Sequence, residues 1–259
     1  MSIATRGKSR PRLLRGLVAL FGVAVLATGC HTARADAPTP PKPHRTVAAA
    51  ARKPTPPAGT TTVASLEGNV PGSPEPGAPP NTMVPATWYG YPSILPVIGS
   101  TPNWVEVRLA QRPNGSTTWV PSSDVTLSLT PYLLVLNLAT EHLTVYENGQ
   151  QIMDFPAGVG SPDDPTVTGN YFVTMRVPPP DPGYGPFVLV TSAHSDSIAD
   201  WAGSGDAIIA IHGPITAYDD QLIGTTGAAI SHGCVRLHDA DLAQLAGIPA
   251  GTPLDIVAA

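Results

Sequence analysis

From Tyr132 onward the chain is a succession of short apolar runs separated by turns, and that pattern restricts it to a mainly β fold. Tyr132 to Leu138 is largely apolar, Leu143-Thr144-Val145-Tyr146-Glu147 alternates, Asn148-Gly149 turns the chain, and Gln150 to Phe155 returns. Asn-Gly between two such runs is a hairpin signal, because both residues accept the positive φ of a tight two-residue turn. The three runs predict a meander. Tyr171 to Val177, Phe187 to Thr191, Ala207 to Ile211 and Leu254 to Val257 predict further strands. The Pro/Gly excursion from Pro178 to Pro186 predicts a lid or groove edge. One short helix is expected near the end, with Asp239 as its N-cap, Leu242 and Leu245 on one face and Gly247 as its stop. The expected architecture is a β-sandwich or partly closed barrel with one helix.

The N-terminal part reads differently. Residues 1–30 carry five basic groups and no acid, followed by an apolar stretch from Gly16 to Ala27 that is short for a membrane span. That is the layout of an export signal. It ends Leu26-Ala27-Thr28-Gly29-Cys30, where small residues before a cysteine resemble a bacterial lipobox, so Cys30 is the expected lipidation site and the expected membrane anchor. Residues 31–81 are rich in Pro, Ala and Thr and contain no aromatic residue, which predicts a disordered linker. At about 3.1 Å per residue in extended form, such a tether reaches on the order of 100 Å. Residues 82–126 regain aromatics. There Trp104 to Leu109 and Trp119-Val120 flank an expected turn at Pro113-Asn114-Gly115-Ser116, and the segment resembles a small SH3-like β module.

Charge narrows the partners. The chain carries a net −5, and residues 82–259 contain only Arg108, Arg112, Arg176 and Arg236 as cations. A nucleic-acid partner is therefore not expected, since phosphate contacts need clustered Lys and Arg.

Cysteine usage then points to a site. Cys30 and Cys234 are the only two, and a lipidated or discarded Cys30 leaves Cys234 without a disulfide partner. Cys234 lies in Ser231-His232-Gly233-Cys234-Val235-Arg236-Leu237, a poor wrapping for an inert core thiol. Upstream, Ala207-Ile208-Ile209-Ala210-Ile211 predicts a buried strand ending on His212-Gly213. A strand-borne histidine can supply a general base and the thiol a nucleophile. Gly233 lets the backbone approach a ligand closely.

These residues resemble the YkuD-type L,D-transpeptidase catalytic domain, over about residues 131–259. The resemblance also includes the Thr166-Val167-Thr168-Gly169 loop and Gly251-Thr252-Pro253. It implies an enzyme of peptidoglycan stem peptides that needs no metal or organic cofactor. Cys234 is then the nucleophile. It attacks the carbonyl between the diamino acid and D-Ala of a tetrapeptide stem, forms a thioester, and passes the acyl group to an amine to give a 3→3 cross-link. His212 is the implied base, oriented by a backbone carbonyl near Gly213. The N–H groups of His232, Gly233 and Cys234 are the implied oxyanion hole, with Ser231 fixing the loop. Arg236 either holds a substrate carboxylate and favours the thiolate or neutralises a buried acid, and both readings stay open. His194 is a further residue that could line the cleft. Tyr171, Tyr184 and Trp201 could line the substrate groove but read more readily as packing, and His142 and His238 read as surface.

Two features depart from the family. His212 and Cys234 are 22 positions apart, more than is usual, so a longer loop over the cleft is expected around Tyr218-Asp219-Asp220 and Thr225-Thr226-Gly227. Pro214 stands where threonine is common. Other functions compete with transpeptidation. Water as acceptor gives an L,D-carboxypeptidase, and a protein lysine gives an anchoring enzyme. A zinc site on His212, His232 and Cys234 matches in residue type but lacks supporting carboxylates. A non-catalytic wall-binding protein sits badly with an intact thiol, base and arginine.

Overall fold

The computed structural model describes residues 59–258. The predicted signal, Cys30 and the N-terminal part of the predicted linker lie outside them. Two sheets organise the described chain. The first has five strands: β1 (Thr61–Ser65), β2 (Ile94–Ser100), β3 (Trp104–Arg108), β4 (Thr117–Pro121) and β5 (Thr126–Thr130), in the order β4-β3-β2-β1-β5. The second has eight: β6 (Tyr132–Asn137), β7 (His142–Glu147), β8 (Gln150–Pro156), β9 (Gly169–Val177), β10 (Val188–His194), β11 (Ile208–His212), β12 (Val235–Arg236) and β13 (Pro253–Val257). Their order is β8-β7-β6-β13-β9-β10-β11-β12.

The fold is mainly β, and the larger sheet curls into a half-barrel. Bulges between Val173 and Met175 and between Val190 and His194 bend β9 and β10. Alternation explains the core. Leu134 and Leu136 of β6, Leu143 and Val145 of β7, and Leu254 and Ile256 of β13 are buried on one face with Leu242 and Leu245 from the C-terminal helical segment. Burying each such leucine contributes roughly 1.5–3 kcal/mol before entropy is counted. The predicted meander is present as β6 to β8, and Asn148 and Gly149 both adopt positive φ between β7 and β8.

Three boundaries differ from the sequence reading. β1 and a short pair, Val70–Gly72 with Thr82–Val84, fall inside the stretch expected to be linker. β1 is internal to its sheet, pairing with β2 and β5, and it buries Val63 and Ala64. Prolines and missing aromatics mark residues 31–57, but Thr-Thr-Val-Ala is a β-forming run that finds partners further along. The helix α2 spans Asp239–Gln244 and runs into a 3₁₀ turn at Leu245–Gly247, but its N-cap is His238, which makes no side-chain cap bond. Asp239 is the first helical residue, where its charge suits the helix dipole. The expected long loop after His212 contains a second helix, α1 (Ala217–Leu222). Thr216 caps it, accepting a hydrogen bond from the Asp219 N–H at 3.1 Å.

The two sheets share more than a chain crossing. Tyr171 and Val173 of β9 face the core of the larger sheet, and Phe172 between them packs with Leu95, Val107 and Val120 of the smaller one. A period of two thus sends neighbouring side chains of one strand into two cores.

Candidate active site

His212 is the last residue of β11, and β12 runs parallel beside it with His212 opposite Arg236. Cys234 immediately precedes β12. Both side chains line one cleft of about 300 Å³, together with Tyr184, Trp201, Ser231, His232 and Arg236. The imidazole of His212 is buried, and its Nδ1 lies 2.7 Å from the Gly213 carbonyl. Nδ1 must donate there, so Nε2 is the nitrogen left with a lone pair. Burial pushes the His212 pKa down to about 4; the Gly213 bond opposes this, the Arg236 charge adds to it, and Asp181 opposes it. Burial likewise pushes the Cys234 thiol up, against a backbone hydrogen bond from Ala210 and the Arg236 charge. At neutral pH the resting pair is therefore imidazole and thiol, both uncharged.

The loop between them is held by side chains. Ser231 Oγ donates to the Cys234 carbonyl at 2.6 Å and accepts from the Gly233 N–H at 3.1 Å. Gly233 has φ +109, a region costly for any residue with a Cβ. Its carbonyl accepts from Thr166 Oγ1 at 2.8 Å, and Thr166 Oγ1 also accepts from the Gly160 N–H. The Gly233 N–H is thus already used by Ser231, which removes it from the expected oxyanion donors. Gly213 sits where a Cβ would come within 2.7 Å of Gly185 N and 2.5 Å of Asp239 Oδ1. That closeness lets the Gly213 N–H reach the Tyr184 carbonyl at 2.8 Å.

The remaining predicted residues divide. His232 is largely exposed, with its ring 5.2 Å from that of Trp201 and Nε2 4.0 Å from Asp164. Arg236 lines the cleft, but its Nη1 is committed to Asp219 Oδ2 at 2.7 Å and the Pro214 carbonyl at 3.2 Å. Its Nε is buried without a partner. His194 does not line the cleft. It is fully buried, with Nε2 donating to the Ala110 carbonyl at 2.7 Å and Nδ1 2.8 Å from Asp206 Oδ2, off the line of a good hydrogen bond. It ends β10 much as His212 ends β11, but the smaller sheet covers it. Among the described residues no group of three or more His, Cys, Asp or Glu converges on a metal-sized site.

Residues 131–256 match the family model described as the YkuD L,D-transpeptidase catalytic domain. These residues belong to that family. The putative L,D-transpeptidase YkuD of Bacillus licheniformis is 27% identical over 127 residues, covering 49% of this chain and 66% of that protein. Its Bacillus subtilis counterpart is 26% identical over the same span. The chain thus spans just under two thirds of the curated relatives it matches. Among solved structures, an L,D-transpeptidase from Mycobacterium smegmatis is similar at 17% identity and a TM-score of 0.39, covering 60% of this chain and 91% of that one. The catalytic domain of an E. faecium L,D-transpeptidase gives 18% identity and a TM-score of 0.36, covering 48% and 95%.

Around the thiol of this YkuD-type domain Tyr184 and Trp201 line the cleft, a place the sequence offers them second to packing. Tyr184 lies over His212, ring centroids 4.7 Å apart, and burial pushes its hydroxyl pKa up. It reaches that position because Gly213 and Ile215 donate backbone N–H groups to Tyr184 and Gly183. Ile215 takes φ +72, a strained state for a β-branched residue, at the cleft edge. Helix α1 is fastened beneath by two pairs, Asp219 with Arg236 and Asp220 Oδ1 with His238 Nδ1 at 2.7 Å. Aromatic identity near Pro and Gly was the one signal for Tyr184. Nothing in the sequence marks Asp219 as the partner of Arg236.

Proposed function

We propose that the protein is an exported, cysteine-dependent L,D-transpeptidase, tethered through a lipidated Cys30 and acting on peptidoglycan stem peptides. The observation that carries this reading is the His212 tautomer. Nδ1 is spent on its own neighbour's carbonyl, which leaves Nε2 basic in a cleft shared with one unpaired thiol. His212 takes the Cys234 proton as sulfur attacks the carbonyl between the diamino acid and D-Ala of a tetrapeptide stem. Moving that proton creates opposite charges within one cleft, so each stabilises the other although burial disfavours both alone. The oxyanion is met by the N–H groups of His232 and Cys234, the Gly233 N–H being engaged with Ser231. His212 then protonates the D-Ala amine as the C–N bond breaks, leaving a thioester. The side-chain amine of a second stem attacks the thioester, loses a proton to His212, and the thiolate leaves and is reprotonated. The cleft is lined mainly by apolar surface, including Ile198, Ile208, Ile209 and Ile215, which disfavours water as the acceptor.

The test is to incubate the full chain and its Cys234→Ala variant with purified disaccharide-tetrapeptide and weigh the products. A cross-linked dimer lacking one D-Ala, absent with the variant, is the expected result. Tripeptide monomer alone assigns the protein as an L,D-carboxypeptidase, and turnover that survives Cys234→Ala overturns the cysteine mechanism.

A further inference from the structure

The loop from Ser195 to Asp206, between β10 and β11, forms one wall of the thiol cleft through Ser195, Ile198 and Trp201. Trp201 in turn lies against the ring of His232, two residues from Cys234. The loop has little core of its own. Trp201 is 48% exposed, and Ala202, Gly203 and Gly205 adopt positive φ at its tip. Its internal bonds are local: Ser195 Oγ with Ser197 Oγ and the Ile198 N–H at one end, and at the other Trp201 N–H to the Asp206 carbonyl, Ser204 N–H to the Trp201 carbonyl, Ser204 Oγ with the Asp206 carbonyl and N–H, and Gly205 N–H to Asp200.

Ser197 Oγ ties it to Asp164 at 2.9 Å, and its other side-chain anchors from outside come from the smaller sheet. Arg112, in the turn between β3 and β4, donates from Nε to Asp206 Oδ1 at 2.8 Å and from Nη2 to the carbonyls of Ser195 at 2.8 Å and Ile198 at 3.2 Å. Asn114 exchanges two backbone bonds with His194, at 2.8 and 2.9 Å, and reaches Asp196 at 3.3 Å. Ala110 accepts from the buried His194 ring. One short turn therefore grips both ends of the loop. Burial alone would raise the Asp206 pKa, but the bonds from Arg112 and the Ala207 N–H, with the adjacent His194 ring, hold it below the usual carboxylate range. The planar guanidinium suits this task because it spans three acceptors at once.

We propose that the Ala110–Asn114 turn of the smaller sheet is a positioning element for the active site. It fixes the 195–206 wall and thereby sets how the donor peptide is held, without touching the reacting atoms. The second half of this statement rests on the stem-peptide reading above. A wall displaced by about 1 Å can cost up to 10²-fold in rate through misplacement of the substrate.

The test compares full-length wild type with Arg112→Ala, Arg112→Lys and Asn114→Ala. Three quantities are measured: hydrogen exchange of the 195–206 amides, KM and kcat on the tetrapeptide, and the pH profile of iodoacetamide labelling on the Cys234 peptide. In Arg112→Ala we expect exchange at least tenfold faster in the loop alone, KM raised at least fivefold, and a labelling profile within twofold of wild type. Arg112→Lys keeps the charge beside Asp206 but cannot span both carbonyls, so its KM falls between. Asn114→Ala reproduces the direction through the His194 end should Arg112→Ala fold poorly. Unchanged loop exchange overturns the proposal, as does faster exchange with unchanged KM, or a labelling rate that falls in step with turnover. If wild type converts no stem peptide, the donor reading fails instead. Thiol reagents of graded size then decide: bulky maleimides gaining on iodoacetamide in Arg112→Ala support positioning, and an unchanged ratio overturns it.

Discussion

Burial keeps His212 and Cys234 neutral at rest, and that choice has consequences in pH. With the thiol pushed up, alkylation of Cys234 by iodoacetamide should be slow at pH 7 and still rising above pH 9, where an exposed thiol has levelled off. A plateau near pH 6 would instead mean a preformed ion pair. His212 gives a stability signature as well. Its folded pKa of about 4 lies below the ordinary 6.5, so between those values the unfolded chain binds a proton that the folded chain does not. Stability conferred by the neutral ring is complete above pH 6.5 and is lost as pH falls toward 4, by roughly 3 kcal/mol at most. Urea titrations of wild type and His212→Gln at pH 7, 5 and 4 should show the gap between them shrinking with acid. Ser231, Gly233 and Cys234 were legible because their contacts lie within the motif. Thr166 enters the sequence reading only through the Thr166-Val167-Thr168-Gly169 resemblance. Its bond to the Gly233 carbonyl spans 67 residues of sequence, and no local pattern encodes it.

Among the elements, the strands were the most legible, since period-two burial writes itself into the residues. Helix α1 reads as loop in the sequence because its six residues carry no apolar periodicity. The cue that existed was Thr216 three positions before Asp219, an N-cap spacing with an acid in the first turn. Asp219 then turns to Arg236, and both side chains are mostly buried. Asp219→Ala leaves that guanidinium without its carboxylate and should cost roughly 3 kcal/mol, read as a lower Tm. A variant with wild-type Tm would place α1 outside the cooperative fold. His194 shows the converse difficulty. Its strand and terminal histidine look like those of His212, and only the covering sheet, which sequence periodicity cannot see, separates a buried tie from a base.

At the scale of the molecule, the sequence reading places the start of the folded part some twenty residues late, because β1 has too few residues to announce itself and is stabilised by distant partners. A chain beginning at residue 82 lacks β1 and leaves β2 and β5 with open edges. It should express less solubly than one beginning at residue 59, and equal recovery and equal Tm would show that β1 is dispensable. Phe172 ties the two cores together, so Phe172→Ala should lower stability by about 3–5 kcal/mol in a single transition. Two separated melting transitions in the wild type would mean that the sheets fold independently.

The position of β13 carries a temporal consequence. This strand, residues 253–257, lies between β6 and β9, parallel to one and antiparallel to the other. The half-barrel therefore cannot close while its C-terminal residues are still on the ribosome. Until they are released, the β6–β8 meander and the β9–β12 ladder lack the strand that joins them, and their backbone hydrogen-bonded seam is confined to the pairing of residues 158–161 with 228–236. The thiol and its base lie in the second fragment and acquire a finished scaffold only once β13 has left the ribosome. A nascent chain whose residues 253–257 are still inside the ribosome should be cut by protease on either side of β9, and the same chain released should resist.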